Sequence, residues 1–173
     1  MRKGGEEDMN VEDSTTGTIT YVPPGEGKSF WMAGGHMATF KATSEDTGGA
    51  YTITEETWPP QVGPPPHIHH TQEETFYILQ GEMEFVTDGA ITTRATTGSL
   101  VRIPKGVLRD YKNVGPEPAR VLVLFAPGGF EGFFEEVGEL VTDSSAPPEG
   151  SPDVERLVAA AKKYGCDIPP PPE

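Results

Sequence analysis

Cysteine is almost missing from this chain, histidine and basic charge are scarce, and long apolar runs do not occur; each shortage closes off a class of protein. A single cysteine, Cys166, leaves no disulfide to form within the chain, so nothing asks for an oxidising compartment. No stretch approaches the ~20 apolar residues that a membrane-spanning helix needs, and the N-terminal MRKGGEEDMNVEDSTT holds no apolar signal segment. Lys and Arg number 13 against 27 Asp and Glu, a formal charge of −14, which is the wrong sign for nucleic acid or an anionic membrane surface. The expectation is a cytoplasmic protein with a small-molecule substrate, no nucleic-acid partner and no membrane. No helix pattern follows Gly34-Gly35 or Gly48-Gly49, so these read as turns rather than phosphate cradles, and no nucleophile elbow is present. Cys166 is remote in sequence from every motif and is given no catalytic role.

Proline and glycine, by contrast, are plentiful. With 18 Pro, 21 Gly and frequent Thr and Val, the chain favours many short strands joined by turns, and 173 residues suffice for one domain but not two of ordinary size. Residues 1–16 read as a disordered acidic tail, 17–141 as a barrel with a first C-terminal helix, and 142–173 as a linker, a second helix and a Pro-rich tail. Strands are expected at 18–22, 28–33, 36–43, 50–58, 66–70, 74–79, 82–87, 90–95, 99–103, 107–112 and 119–126, with Asp88-Gly89 as a type I′ hairpin. That spacing predicts an all-β fold, an antiparallel sandwich or barrel. After Pro127 the period changes: Phe130, Phe133, Phe134, Val137 and Val141 recur at helical offsets. Ser151 reads as the N-cap of a later helix with Pro152 at its first position, Val154, Leu157, Val158 and Ala161 on one face, and Gly165 at its end.

The chemistry is concentrated between Gly63 and Gly81, GPPPHIHHTQEETFYILQG. In an extended segment His67 and His69 share a face while Ile68 and His70 point away. A bend before the run 75–79 brings the Glu74 carboxylate toward the same point. Two neutral imidazoles and a carboxylate suit one divalent transition metal: non-haem Fe(II), or with other geometries Mn, Co, Ni, Cu or Zn. The alternation that aims Glu74 inward also aims Phe76 and Ile78, and on a later strand Arg109 and Tyr111. These four are the candidate substrate contacts, in a pocket suited to a flat hydrophobic molecule. Only four histidines exist, at 36, 67, 69 and 70, so no imidazole lies beyond residue 70. His36 reads as a hydrogen-bonded structural residue.

Gly63, His67, His69, Glu74 and Gly81 resemble the first motif of the cupins, and Gly98, Pro104, Gly106 and Asn113 fall in register with the second. Arg109 stands where the second motif has a histidine ligand. The surrounding text, Asp46-Thr-Gly-Gly, Pro-Pro-His-Ile-His-His and Gly128-Gly-Phe-Glu-Gly-Phe-Phe, is similar to small monocupins of the quercetin 2,3-dioxygenase-like group. The resemblance implies a conical double-stranded β-helix (jelly-roll) barrel with helices packed outside, a homodimer, and a metal held by His67, His69 and Glu74. With a ligand lost and a positive charge gained, that metal is expected to bind weakly. Arg109 admits three readings: it holds an anionic substrate beside a three-ligand metal, it pairs bidentately with Glu74 and repels a metal, or it swings to solvent. With Glu74 and Arg109 as catalytic residues, three functions stay open. One is a dioxygenase-like oxidoreductase acting on a flavonol-like or polyketide-like substrate of secondary metabolism. The others are a redox-neutral cyclase, isomerase, dehydratase or decarboxylase, and a binding barrel without turnover.

Overall fold

Among the described residues, twelve short strands and two α-helices build the fold: β1 (Ser29–Trp31), β2 (Met37–Ala42), β3 (Thr52–Trp58), β4 (Ile68–His69), β5 (Glu73–Gln80), β6 (Glu82–Thr87), β7 (Ala90–Thr96), β8 (Leu100–Ile103), β9 (Arg109–Asn113), β10 (Ala119–Ala126), α1 (Glu131–Val137), β11 (Glu139–Leu140), α2 (Val154–Lys163) and β12 (Cys166–Asp167). The computed structural model describes residues 19–88, 90–142, 146–147 and 153–170. A seven-stranded sheet in the order β11-β1-β2-β3-β10-β5-β8 faces a three-stranded sheet β7-β6-β9, and β4 pairs with β12 at the rim. The pairings are antiparallel, as in an all-β double-stranded β-helix.

Period-two burial puts the site and the core on one inner surface. Along β5, Glu74, Phe76 and Ile78 are buried; β10 adds Val121, Val123 and Phe125, and β9 adds Arg109, Tyr111 and Asn113. On β3 the buried positions are Thr52, Thr54, Glu56 and Trp58, so the inner face is not uniformly apolar. Phe76, Phe85 and Tyr111 pack together in the core with ring centroids 4.8–5.7 Å apart. Two motif residues act on the backbone. A Cβ on Gly63 would lie 1.8 Å from the Tyr111 carbonyl oxygen, so only glycine lets this loop run against β9. The Asn113 amide donates to the carbonyls of Trp58 and Glu117 and accepts from Gly115 N–H, tying the end of β9 to β3.

The expected strands sit close to their places, with four departures. Residues 19–22 form no strand: Ile19 and Tyr21 are exposed, and Pro23-Pro24 stops the run before it finds a partner. The helix after Pro127 ends at Val137 with Gly138 as its cap, so Val141 leaves the apolar stripe, and its N–H donates to the Ser29 carbonyl as β11 joins β1. The cap of α2 is Asp153, whose carboxylate accepts from Arg156 N–H; Ser151 and Pro152 lie outside the described residues. The C-terminal stretch is not merely a tail, because β12 pairs Cys166 with His69 and Asp167 with Ile68. Asp88 takes the positive φ of 51° that the hairpin demands; Gly89, like the acidic tail at 1–16, is outside the described residues. Among the described residues no helix is long and apolar enough to cross a membrane.

Candidate metal centre

His67, His69 and Glu74 converge. One ligand atom from each lies within 4.8 Å of the others, and all three residues are buried. Two backbone features aim the imidazoles. His67 and the residue opposite it, Arg109, exchange both N–H···O bonds at 2.8 and 2.9 Å, and the His69 carbonyl accepts from Gly106 N–H at 2.7 Å. The loop before β4 then fixes a tautomer: His67 Nδ1 is 2.9 Å from the Pro65 carbonyl, which only accepts, so Nδ1 carries the proton and the Nε2 lone pair is free. His69 Nε2 stands 3.6 Å from Glu74 Oε1, while His69 Nδ1 and Glu74 Oε2 have no hydrogen-bond partner among the described residues. Burial drives both rings toward the neutral form, His67 to about 4 and His69 to about 2. Two buried neutral imidazoles beside a buried carboxylate make a donor set that fits a divalent transition metal.

Arg109 departs from two of its three readings. Its side chain is fully buried, which removes the swing to solvent, and its guanidinium is not in the wall of the cavity described below, where the substrate-holding reading needs it. Nη1 lies 3.0 Å from Glu74 Oε2 and Nη2 donates to the Pro104 carbonyl at 2.9 Å. The pairing with Glu74 is a single charge contact rather than the expected bidentate fork, since among the described residues Nη1 and Oε2 make no hydrogen bond, and Nε also has none. Burial lifts the Glu74 carboxyl to about 7, against the pull of Arg109, with the Glu56 charge adding to the rise.

A cavity of about 130 Å3 opens onto the three donors. Tyr111, Phe125, Phe130, Phe133, Phe134 and Trp58 supply aromatic wall, and Leu157, Ala161 and Ile168 of the C-terminal segment supply aliphatic wall. His69 meets the Phe130 ring edge-on at 4.4 Å. Of the expected substrate contacts, only Tyr111 faces this space. Phe76 and Ile78 have no exposed surface and lie outside its wall. Three cavity residues escaped the sequence reading. Cys166 lines the cavity beside β4 because a two-residue strand, which no periodicity announces, carries it there; burial pushes its thiol up to about 12. His36 and Glu56 also line it, bonded to each other as the structural reading of His36 implies. His70 points outward to Asp167.

Residues 54–125 match the model of the cupin domain. The chain carries a cupin domain. It is 27% identical over 124 residues to a quercetin 2,3-dioxygenase from Bacillus subtilis, covering 71% of this chain and 36% of that protein. A second quercetin 2,3-dioxygenase, from Aspergillus japonicus, is 28% identical over 115 residues, covering 63% of this chain and 33% of that protein. This cupin therefore spans about a third of the length of these relatives. Among solved structures, the polyketide cyclase RemF from Streptomyces resistomycificus matches with a TM-score of 0.56 at 22% identity, over 63% of this chain and 80% of that one, which is a likeness of fold. Within the cupin frame, Arg109 occupies the strand position directly opposite His67, where the second motif places a ligand.

Proposed function

We propose that this cupin is a metal-dependent, dioxygenase-like oxidoreductase acting on a planar aromatic substrate that bears an acidic hydroxyl. The observation that carries the reading is the convergence of two neutral imidazoles and a carboxylate on an aromatic-walled cavity; the two quercetin 2,3-dioxygenases among its relatives support it. His67, His69 and Glu74 hold the metal. When bound, such a metal polarises a ligand oxygen and brings one-electron chemistry where its electronic structure permits. Burial holds the metal-free Glu74 carboxyl at about 7, so it gives up its proton when a metal binds, and Arg109 steadies the resulting charge from behind. Phe130 and Tyr111 wall the ring and exclude water. Size sets a limit: a dry cavity of about 150 Å3 accommodates benzene, so ~130 Å3 seats one ring, and the rest of a flavonol-like molecule extends beyond it. The proposal includes a homodimer in which Tyr77 and Leu100, exposed partners in register beside the free edge of β8, are covered.

A second reading has its own observation. With Arg109 already against Glu74, the pair can work as acid and charge stabiliser in a redox-neutral cyclisation, isomerisation, dehydration or decarboxylation. The separating experiment loads the protein with Fe, Mn, Co or Ni, offers flavonols and simpler phenolic enols, and follows O2. Uptake that depends on metal and on Glu74 supports the first reading. Product formation without O2, lost in Arg109→Ala, establishes the second.

A further inference from the structure

The cavity has a second polar pole that the metal donors do not use. On the β2–β3 side, His36 and Glu56 are 5% and 1% exposed, and both line the cavity. His36 Nε2 is 3.0 Å from Glu56 Oε2, which also accepts from Trp58 Nε1–H at 3.1 Å, while Glu56 Oε1 accepts from the Thr54 hydroxyl at 2.8 Å. A carboxylate so placed takes its hydrogen bonds through lone pairs, so the imidazole must present Nε2–H to it. In the neutral ring Nδ1 is then a bare acceptor, and it has no hydrogen bond among the described residues. The ring is also fixed in plane: it stacks on Trp58 with centroids 3.6 Å apart at 9°, and Phe134 meets its edge at 6.5 Å.

A structural histidine of this kind ordinarily sits in packed core. This one stands in the wall of an aromatic cavity, oriented by a buried carboxylate in the manner of a base held by its orienting acid. We propose that His36, positioned by Glu56, is the residue that accepts the hydroxyl of the aromatic ligand, by hydrogen bond to Nδ1. The assignment rests on the aromatic-ligand reading given above, and it adds a hydroxyl-selecting contact on the wall away from His67, His69 and Glu74. One ring then lies between two polar poles, with Trp58 and Tyr111, whose rings meet edge-to-face at 5.6 Å, between those poles.

The test needs neither metal nor turnover. Protein stripped with chelator is titrated by calorimetry with phenol and with toluene, which differ in shape by little and in hydroxyl completely. The expected result is a preference for phenol in wild type that falls about tenfold in His36→Phe, the size of one good hydrogen bond, with toluene affinity unchanged. Phenylalanine keeps the stack on Trp58 and leaves Glu56 two donors. Equal binding of the two probes by wild type, or a phenol preference that survives in His36→Phe, overturns the assignment and leaves the aromatic cavity standing. Binding of neither probe overturns the cavity reading and this assignment together. Should His36→Phe fail to fold, the side-chain 15N spectrum of wild type decides: phenol must move the His36 Nδ1 resonance while toluene does not, and an Nδ1 resonance that phenol leaves in place refutes the proposal.

Discussion

Replacing Arg109 by histidine both restores the missing imidazole and removes a charge, and the structure sets the scale of the result. At 3.0 Å and an effective dielectric constant of ~20, the attraction between Arg109 and Glu74 is about 5 kcal/mol before desolvation is counted. At pH 8, above the Glu74 value of about 7, removing one partner of such a buried pair costs up to roughly 3–5 kcal/mol, because the remaining carboxylate is left uncompensated or must take up a proton. The metal-free Arg109→His protein should therefore melt lower, by on the order of 6–20 °C for a domain of this size. Adding metal should reverse the order. In wild type a bound dication must share the Glu74 carboxylate with a guanidinium that cannot lose its charge; in the variant the carboxylate is free and a third imidazole stands opposite His67, where Arg109 now sits. The rise in affinity should be at least tenfold, about 1.4 kcal/mol, a fraction of what the pair is worth. Calorimetric titration with Co(II) measures it, and melting curves at fixed metal report the same linkage. A variant that binds Co(II) no more tightly than wild type refutes the reasoning, since the charge at 109 would then not oppose a metal at the donors.

The other expectations are shorter. Glu74 sits at about 7 while His67 and His69, at about 4 and 2, stay neutral through the working range; metal binding should release about one proton at pH 6 and almost none at pH 8, so affinity falls as pH drops below 7. Titrations in two buffers of different ionisation heat count that proton. Gly63→Ala should destabilise the fold by more than ~2 kcal/mol in urea, since its Cβ would strike the Tyr111 carbonyl and push β9 with Arg109 out of place; a loss under ~0.5 kcal/mol would show that the loop yields. Light scattering should give twice 18.6 kDa, and Leu100→Lys, which charges the exposed edge, should shift the mass toward the monomer.

How much of this was legible depends on the reach of a period. Two-residue alternation placed most of the longer strands and turned Glu74, Phe76, Ile78, Arg109 and Tyr111 inward, as the burial along β5 and β9 bears out. Alternation names a face, not a depth. Phe76 and Ile78 share the inner face with Glu74 but are not in the cavity wall, and the Arg109 guanidinium turns to the Pro104 carbonyl and Glu74 instead of the open space. The two-residue strands β11 and β12 have no pattern to read, being made by tertiary pairing with β1 and β4, and with β12 went the placement of Cys166. His36 was read as hydrogen-bonded, and it is; its position in the cavity wall follows from strand register, which no local signal in the chain declares.

The most direct test of the metal centre is stoichiometry at the three donors. Wild-type protein dialysed against excess Co(II) should retain one equivalent per chain at equilibrium with the visible bands of a nitrogen- and oxygen-ligated ion, and His69→Ala, whose β4 backbone pairings remain available, should retain almost none at the same free Co(II). Equal retention by wild type and His69→Ala would contradict the account, because a metal would then be held somewhere other than at His67, His69 and Glu74.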